Sequence, residues 1–539
     1  MRGAGTIGAA VALLLLIWLV QQWGARGLEL YDRVVPFYDS LSYQDGYYAV
    51  AERSERDGVL ATLVGVWREP NNNVVLYKFA AAILGVVVPP GKIGLYVYLF
   101  GIHLAGICAL GIATWRLSGR VYLAVLALAA WLAAVPFSLV RSGVGDQRMD
   151  LASASFYLLI AAVALMWSRA PKIGGASLLG FSAALAVLHR PVMAVTVGVM
   201  ICVFTARAAM THRRPVRAWI MDAAAMVAPG AVLSLPWLIA HAPELHRYYL
   251  VTNVDLGNAA SVGVAALYNL KQFVSWVGPL YATICLVTVA CFISLRRAAC
   301  WDLLVVAIAA ILPLGTLALS KSTGNVFVSQ ISLGLPALML ACVRPARNET
   351  RNEPVVLLVL ALVAFGFVAI SSTASLKREV DALEGNPRGE VVQVLHTLLE
   401  RIPRARLAAF QDNPVNVVAM ANIARELRLP IQAGTYGYHA PHFGLPNQPI
   451  GTFTPEDLRR GAASAIAAVA ERDDALLLPT EDTQHILYPE PLSHRLIPEI
   501  RRQIAGDERF SHFGRVGPVS GMWFEFYGVQ RSSAEVGKN

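Results

Sequence analysis

The chain has 539 residues, 56% of them hydrophobic and 15% charged, with a formal net charge of +9 and a mean hydropathy of +0.52. Soluble domains average about 25% charged residues, so this composition excludes a disordered chain and a small secreted domain. It points to a polytopic membrane protein. The six cysteines lie in or at the edge of apolar runs and lack metal or redox spacing, so they read as small buried hydrophobes.

A helix crosses the bilayer core with about 20 apolar residues. Runs of this kind occur near 5–23, 92–115, 121–140, 151–168, 173–189, 191–206, 218–240, 274–295, 302–320, 325–343 and 354–373, eleven candidates in all. The first reads as a retained span, because its long apolar run leads into Gln21-Gln22-Trp23 and not into a small-residue cleavage site. The fifth and sixth are short and joined through His189-Arg190-Pro191.

Lysine and arginine in short loops set orientation. With the N-terminus inside, the inner loops hold thirteen of them: Arg116, Arg120, Arg169, Lys172, Arg207, Arg213, Arg214, Arg217, Arg296, Arg297, Arg344, Arg347 and Arg351. The short outer loops hold six: Arg141, Arg148, Arg190, Arg247, Lys271 and Lys321. The positive excess is therefore topogenic, which removes the case for nucleic acid as a partner. Two large pieces fall outside, the first outer loop 24–91 and the C-terminal piece 376–539. The sequence thus divides into a transmembrane part, 1–375, and an outer domain, 376–539.

The outer domain changes composition. The short apolar runs 406–411 and Ala475–Pro479 read as buried strands, alternating with helical patterns at 414–429 and 455–471. Met522–Val529 reads as a closing strand, and the whole as an α/β sandwich. It contains no glycine-rich phosphate loop and no cysteine.

Four clusters could carry chemistry. In the first outer loop, Asp39 and Asp45 lie among Phe37, Tyr38, Tyr43, Tyr47 and Tyr48. The rings are either an interfacial aromatic belt or stacking surfaces for a sugar beside a carboxylate. A general base needs an oriented carboxylate within hydrogen-bond reach of its proton, and Asp39 is the candidate. Asp45 is a substrate-binding candidate or an N-cap for a helix over 46–53. The second cluster, Arg141, Asp146, Arg148 and Asp150, interrupts strongly apolar sequence between the third and fourth spans. Asp150 also fits an N-cap, and Arg141 a snorkelling span end. The third is His189-Arg190-Pro191, where a cation at a membrane break is a functional hypothesis by default or a tight outer turn. The fourth is Lys321 in the turn between spans nine and ten.

These loops bring carboxylates and cations to one outer face. A lipid with a phosphate headgroup wants Arg and Lys there, so Arg141, Arg148, His189, Arg190 and Lys321 are candidates to bind such a substrate. Asp39 and Asp150 are the acids able to share a divalent metal ion, although no histidine or cysteine cluster accompanies them.

The pattern resembles the GT-C superfamily of membrane glycosyltransferases, most of all the branch holding the aminoarabinose transferases of lipid A and the protein O-mannosyltransferases. The matching stretch covers roughly residues 1–345. Asp39-Ser40 keeps the first acid of the family's first-loop acidic pair and lacks the second. Asp150, leading into Phe156-Tyr157, is similar to the family's second-loop acid before an aromatic-rich span. The stretch from Gly180 to Leu188-His189-Arg190-Pro191 looks like its glycine-rich helix ending in Leu-x-Lys-Gly, with Arg for Lys. Ser320-Lys321, followed by Phe327 and Leu335-Pro336, resembles the late segment whose basic residue contacts the donor phosphate.

The resemblance implies a polytopic α-helical GT-C-like fold with a C-terminal extracytoplasmic α/β domain, in the bacterial inner membrane with the N-terminus cytoplasmic. It implies an inverting glycosyltransferase that moves a sugar from a polyprenyl-phosphate donor to an envelope acceptor (lipid, glycan or protein) at the periplasmic face. The competing readings are a transporter or flippase of lipid-linked sugars and a non-catalytic envelope assembly protein. A transporter wants charged or glycine-broken positions near mid-membrane, whereas the charges here gather at outer helix ends. Eleven spans exceed what an anchor for an assembly domain needs.

Overall fold

A computed structural model of the chain describes residues 39–69, 75–88, 92–134, 149–248, 261–276, 300–317, 334–343, 387–410, 417–435, 443–446, 452–480, 492–519 and 521–530. They divide into two compact units that do not follow chain order. Residues 50–88 and 93–343 form one; residues 39–49, 92 and 387–530 form the other.

The first unit is helical. Helix α1 (Asp39–Asp57), whose second half belongs here, is followed by α2 (Val59–Arg68) and α3 (Leu76–Leu84). Then come α4 (Lys92–Ser118), α5 (Val121–Ala134), α6 (Met149–Arg169), α7 (Ile173–His189), α8 (Met193–Thr211) and α9 (Val216–Pro229). Short α10 (Leu235–Ala240) and α11 (Ala242–His246) precede α12 (Val262–Trp276), α13 (Cys300–Leu317) and α14 (Leu335–Leu338). A π turn at Gly230–Ser234 joins α9 to α10 directly after Pro229, a usual site for such a bulge because proline removes one ladder bond.

Among the described residues four helical stretches are long and apolar enough to cross a membrane: Ile93–Ser118, Leu151–Arg169, Met193–Thr211 and Val216–Ala240. They fall on the second, fourth, sixth and seventh expected spans. The fifth and ninth appear as the shorter apolar helices Ile173–His189 and Trp301–Pro313. Candidates 5–23 and 354–373 lie outside the described residues, as does nearly all of 274–295. The described end of 325–343 departs from a continuous span: α14 tightens at once into a 3-10 turn, Met339–Cys342, as helix ends do when carbonyls lack i+4 partners. Cys342 is buried as expected, but Cys108 and Cys202 are exposed on α4 and α8. An outward apolar helix face in a bilayer accepts a small hydrophobe as readily as a core does.

Helix α6 is the centre of this unit, buried almost throughout from Leu151 to Trp167. It packs on α7, α8 and α13. Without a hydrophobic drive between helices in lipid, close approach rests on small residues and interhelical hydrogen bonds. A Cβ at Gly106 of α4 would lie 2.9 Å from the Ser155 carbonyl of α6, and His103 Nδ1 bonds Ser155 Oγ at 2.6 Å just above. A Cβ at Gly180 of α7 would lie 2.1 Å from the Met226 carbonyl of α9. At one end of the unit Asp302, fully buried in the first turn of α13, pairs with Arg169 (Nε 2.7 Å) and Arg207. That pairing ties α6, α8 and α13.

The second unit is an α/β module of three layers. Helix α15 (Pro387–Arg401), β1 (Ala405–Ala409), α16 (Val417–Glu426), β2 (Ile431–Ala433), α17 (Pro455–Arg472), β3 (Ala475–Pro479), α18 (Leu492–Ile504), β4 (Phe510–Val519) and β5 (Met522–Val529) follow in order. The five-stranded sheet has the order β2-β1-β3-β5-β4, parallel through β3 and antiparallel beyond. Period-two alternation splits the strands between two cores. Leu407, Leu477, Phe524 and Phe526 face Val391, Leu395 and Ile423 on one side; Leu476 and Leu478 face Ile466, Leu496 and Ile500 on the other. Helix α17 starts on a capping box between Thr454 and Asp457.

Candidate functional site

Helix α7 stops at His189 for a local reason. Proline pushes the preceding residue out of the helical region, and Arg190 before Pro191 is extended, with φ −153° and ψ 104°. The Arg190 N–H still closes on the Ala186 carbonyl at 2.8 Å. Carbonyls of the last turn have no helical partner, and that of Leu188 accepts the Val75 N–H at 3.2 Å, at the start of α3. The three-residue break Arg190–Val192 then turns the chain into α8, where Met193 N–H bonds the Arg190 carbonyl at 2.9 Å.

His189 is fully buried. Its Nε2 lies 3.1 Å from the Met149 carbonyl, at the first residue of α6, and its Nδ1 lies 2.8 Å from the Tyr98 hydroxyl of α4. A carbonyl can only accept, so Nε2 carries the proton and Nδ1 accepts from Tyr98. The ring also lies against Phe156 of α6, centroids 5.1 Å apart. His189 thus joins α4, α6 and α7, and it holds the α6 end that carries Asp150 beside the α7 end that carries Arg190.

Of the sequence candidates, the structure therefore brings together Asp150, second residue of α6, with His189 and the half-buried Arg190. Asp39 is the first residue of α1. Arg141, Asp146, Arg148 and Lys321 lie outside the described residues.

Two readings of the first loop are corrected. Asp45 is no N-cap: α1 begins six residues earlier and contains it, since nothing between 39 and 45 breaks a helix and one Gly46 is tolerated. Nor do Tyr47 and Tyr48 form a belt, because both are buried within the protein, 0% and 1% exposed. Burial pushes the Tyr47 hydroxyl up to about 12. Asp45 pairs with Arg425 of α16 at 2.5 Å, and Tyr48 donates to Glu426, which also takes Arg388. All of these contacts lie inside the second unit.

Sequence reasoning missed several polar residues that hold the first unit. Arg169 and Arg207 counted only toward orientation, with Asp302 unnoticed. His241, buried behind α10, reaches the Trp67 carbonyl at the end of α2 (3.1 Å) and packs on Trp237. Arg53 of α1 pairs with Glu69 beyond α2. None of these pairs has helical or strand spacing, so no periodicity could have found them. Among the described residues no three His, Cys, Asp or Glu side chains are placed to hold a metal ion together.

No protein-family model matches the chain, and no curated protein matches its sequence. Comparison with solved structures does find matches. The crystal structure of ArnT from Cupriavidus metallidurans bound to undecaprenyl phosphate superposes with a TM-score of 0.59 at 12% identity, over 95% of this chain and 97% of that one. The same protein in its apo state gives 0.56 at 13% identity, over 96% and 98%. From end to end, then, the chain has the fold of ArnT.

Proposed function

We propose that this protein is an inverting GT-C glycosyltransferase that moves a sugar from a polyprenyl-phosphate donor to an envelope acceptor at the periplasmic face of a bacterial inner membrane. The observation that carries the proposal is the end-to-end fold agreement with ArnT, solved with undecaprenyl phosphate. Fold alone does not fix chemistry; the acid-and-cation arrangement at the ends of α6 and α7 supplies the local support. On this reading eleven spans carry the catalytic part, and the α/β module lies outside, where it shapes acceptor access.

The steps assign each residue a role. The acceptor hydroxyl oxygen attacks the anomeric carbon, and the Asp39 carboxylate takes its proton. The bond from the anomeric carbon to the phosphate oxygen breaks, its electron pair leaving on polyprenyl phosphate; one displacement inverts the centre. Negative charge grows on that phosphate, and Arg190 and Lys321, helped by Arg141 or Arg148, stabilise it. Such preorganised groups contribute about 3 kcal/mol each. Asp150 orients the sugar, and His189 fixes the helix end that carries Arg190. Asp45, paired with Arg425, holds α1. No step runs through a metal ion.

Asp39→Asn tests the proposal, since it keeps size and removes basicity. With the purified protein in nanodiscs and a panel of undecaprenyl-phosphate monosaccharides, release of undecaprenyl phosphate should fall about 10²–10⁴-fold while binding of undecaprenyl phosphate survives. A variant with wild-type turnover would remove Asp39 from the mechanism. Mass spectrometry of lipids and envelope glycans from a deletion strain identifies the sugar and the acceptor.

A further inference from the structure

Helix α1 carries the candidate base at its first position, and two adjacent residues of the α/β module grip it a short way along. Arg425 donates to Asp45 Oδ1 at 2.5 Å. Glu426 accepts from the Tyr48 hydroxyl on one carboxylate oxygen and from Arg388 on the other. Asp45 and Tyr48, three residues apart, lie on one face of α1. That face is seated: Gln44 and Tyr48 are 2% and 1% exposed. The gripping helix is rigidly held as well, because α16 is buried continuously from Val417 to Ala424.

We infer that Arg425 and Glu426 are positioning residues for Asp39, so that the α/β module sets the aim of the base. The inference rests on the reading of Asp39 as the base. Asp39 and Asp45 are six residues apart on one helix, about 9 Å along its axis. A tilt of about 6° about Asp45 then moves Asp39 by about 1 Å, and a misplacement of that size costs about 10²-fold in rate. The pair itself adds little stability, being 31% and 42% exposed, so reversing one charge leaves a folded protein.

The test uses the full chain in nanodiscs. Turnover is read as undecaprenyl phosphate released from the undecaprenyl-phosphate monosaccharides, and binding is read with undecaprenyl phosphate alone. Asp45→Arg and Arg425→Asp should each lower turnover about 10²-fold and leave binding unchanged, and the double reversal should recover most of the loss. A merely structural pair would not show that split between turnover and binding, nor the recovery. If a reversal does not fold, Arg425→Leu, which removes the charge without repulsion, must show the same split. Folded single variants with wild-type turnover, or a double reversal as slow as the singles, would overturn the inference. If Asp39→Asn is inactive while Arg425→Asp is fully active, only the positioning role fails. If Asp39→Asn is itself active, the base reading falls and takes this inference with it.

Discussion

His189 offers a test of how the ends of α6 and α7 are held. His189→Phe keeps a ring beside Phe156 and removes both hydrogen bonds. The Met149 carbonyl keeps the Ser153 hydroxyl at 2.7 Å, so losing its histidine costs about 0.5–1.5 kcal/mol. The half-buried Tyr98 hydroxyl is left without its acceptor, at about 1–2 kcal/mol. Tyr98→Phe alone strips Nδ1 instead, at a similar cost. In the double variant both ends of that bond are gone, so it should be about 1–2 kcal/mol less destabilised than the two singles added together. Unfolding free energies of the four proteins in mixed micelles close the cycle. Turnover should follow the same order, since the α7 end carries Arg190. Additivity within about 0.5 kcal/mol would refute the Tyr98–His189 bond and the clamp built on it.

Arg190→Leu should lower turnover about 10²–10³-fold, and Arg190→Lys should restore only part of it, because a guanidinium grips two phosphate oxygens and an ammonium one; full activity in Arg190→Leu, with the protein inserted, would eliminate the phosphate role. Asp473 gives a pH prediction. Burial pushes its carboxyl above the ordinary carboxylate value, against the Thr435 N–H bonds and Arg406. A raised folded value means stability that falls as pH rises from the ordinary carboxylate range through the folded value. Asp473→Asn, which still offers Thr435 an acceptor, should therefore be at least as stable as wild type at pH 7, with any advantage shrinking in acid; chemical denaturation at both pH values decides, and a less stable variant at pH 7 would contradict it.

The long apolar helices were legible because their signal is additive along the chain. The runs 92–115 and 151–168 contain too few charges to read as anything but spans, and they fold within α4 and α6. Strands β1, β3 and β5 were legible for the related reason that short apolar runs between helices must be buried. Strand β4 was not, since Gly514 and Gly517 and two register shifts break the alternation that marks a strand. Helix α1 was misread at its start because acids and tyrosines in a loop and in a helix look alike. Only the partner decides, and Arg425 lies 380 residues away.

The site shows where such reading stops. A cation and a proline inside an apolar stretch correctly marked the end of α7, because burying charge is costly wherever the chain runs. The cost is paid at each atom separately. His189 was singled out for the same reason as Arg190, yet both its ring nitrogens are taken by protein groups and its ring is buried, which suits a clamp. The roles divide at Pro191, which forces Arg190 out of the helix while leaving His189 inside it. Sequence locates the polar residues that must have partners. Whether a partner is another helix or a ligand is decided by neighbours distant in the chain, here Tyr98 and Met149, 91 and 40 residues away.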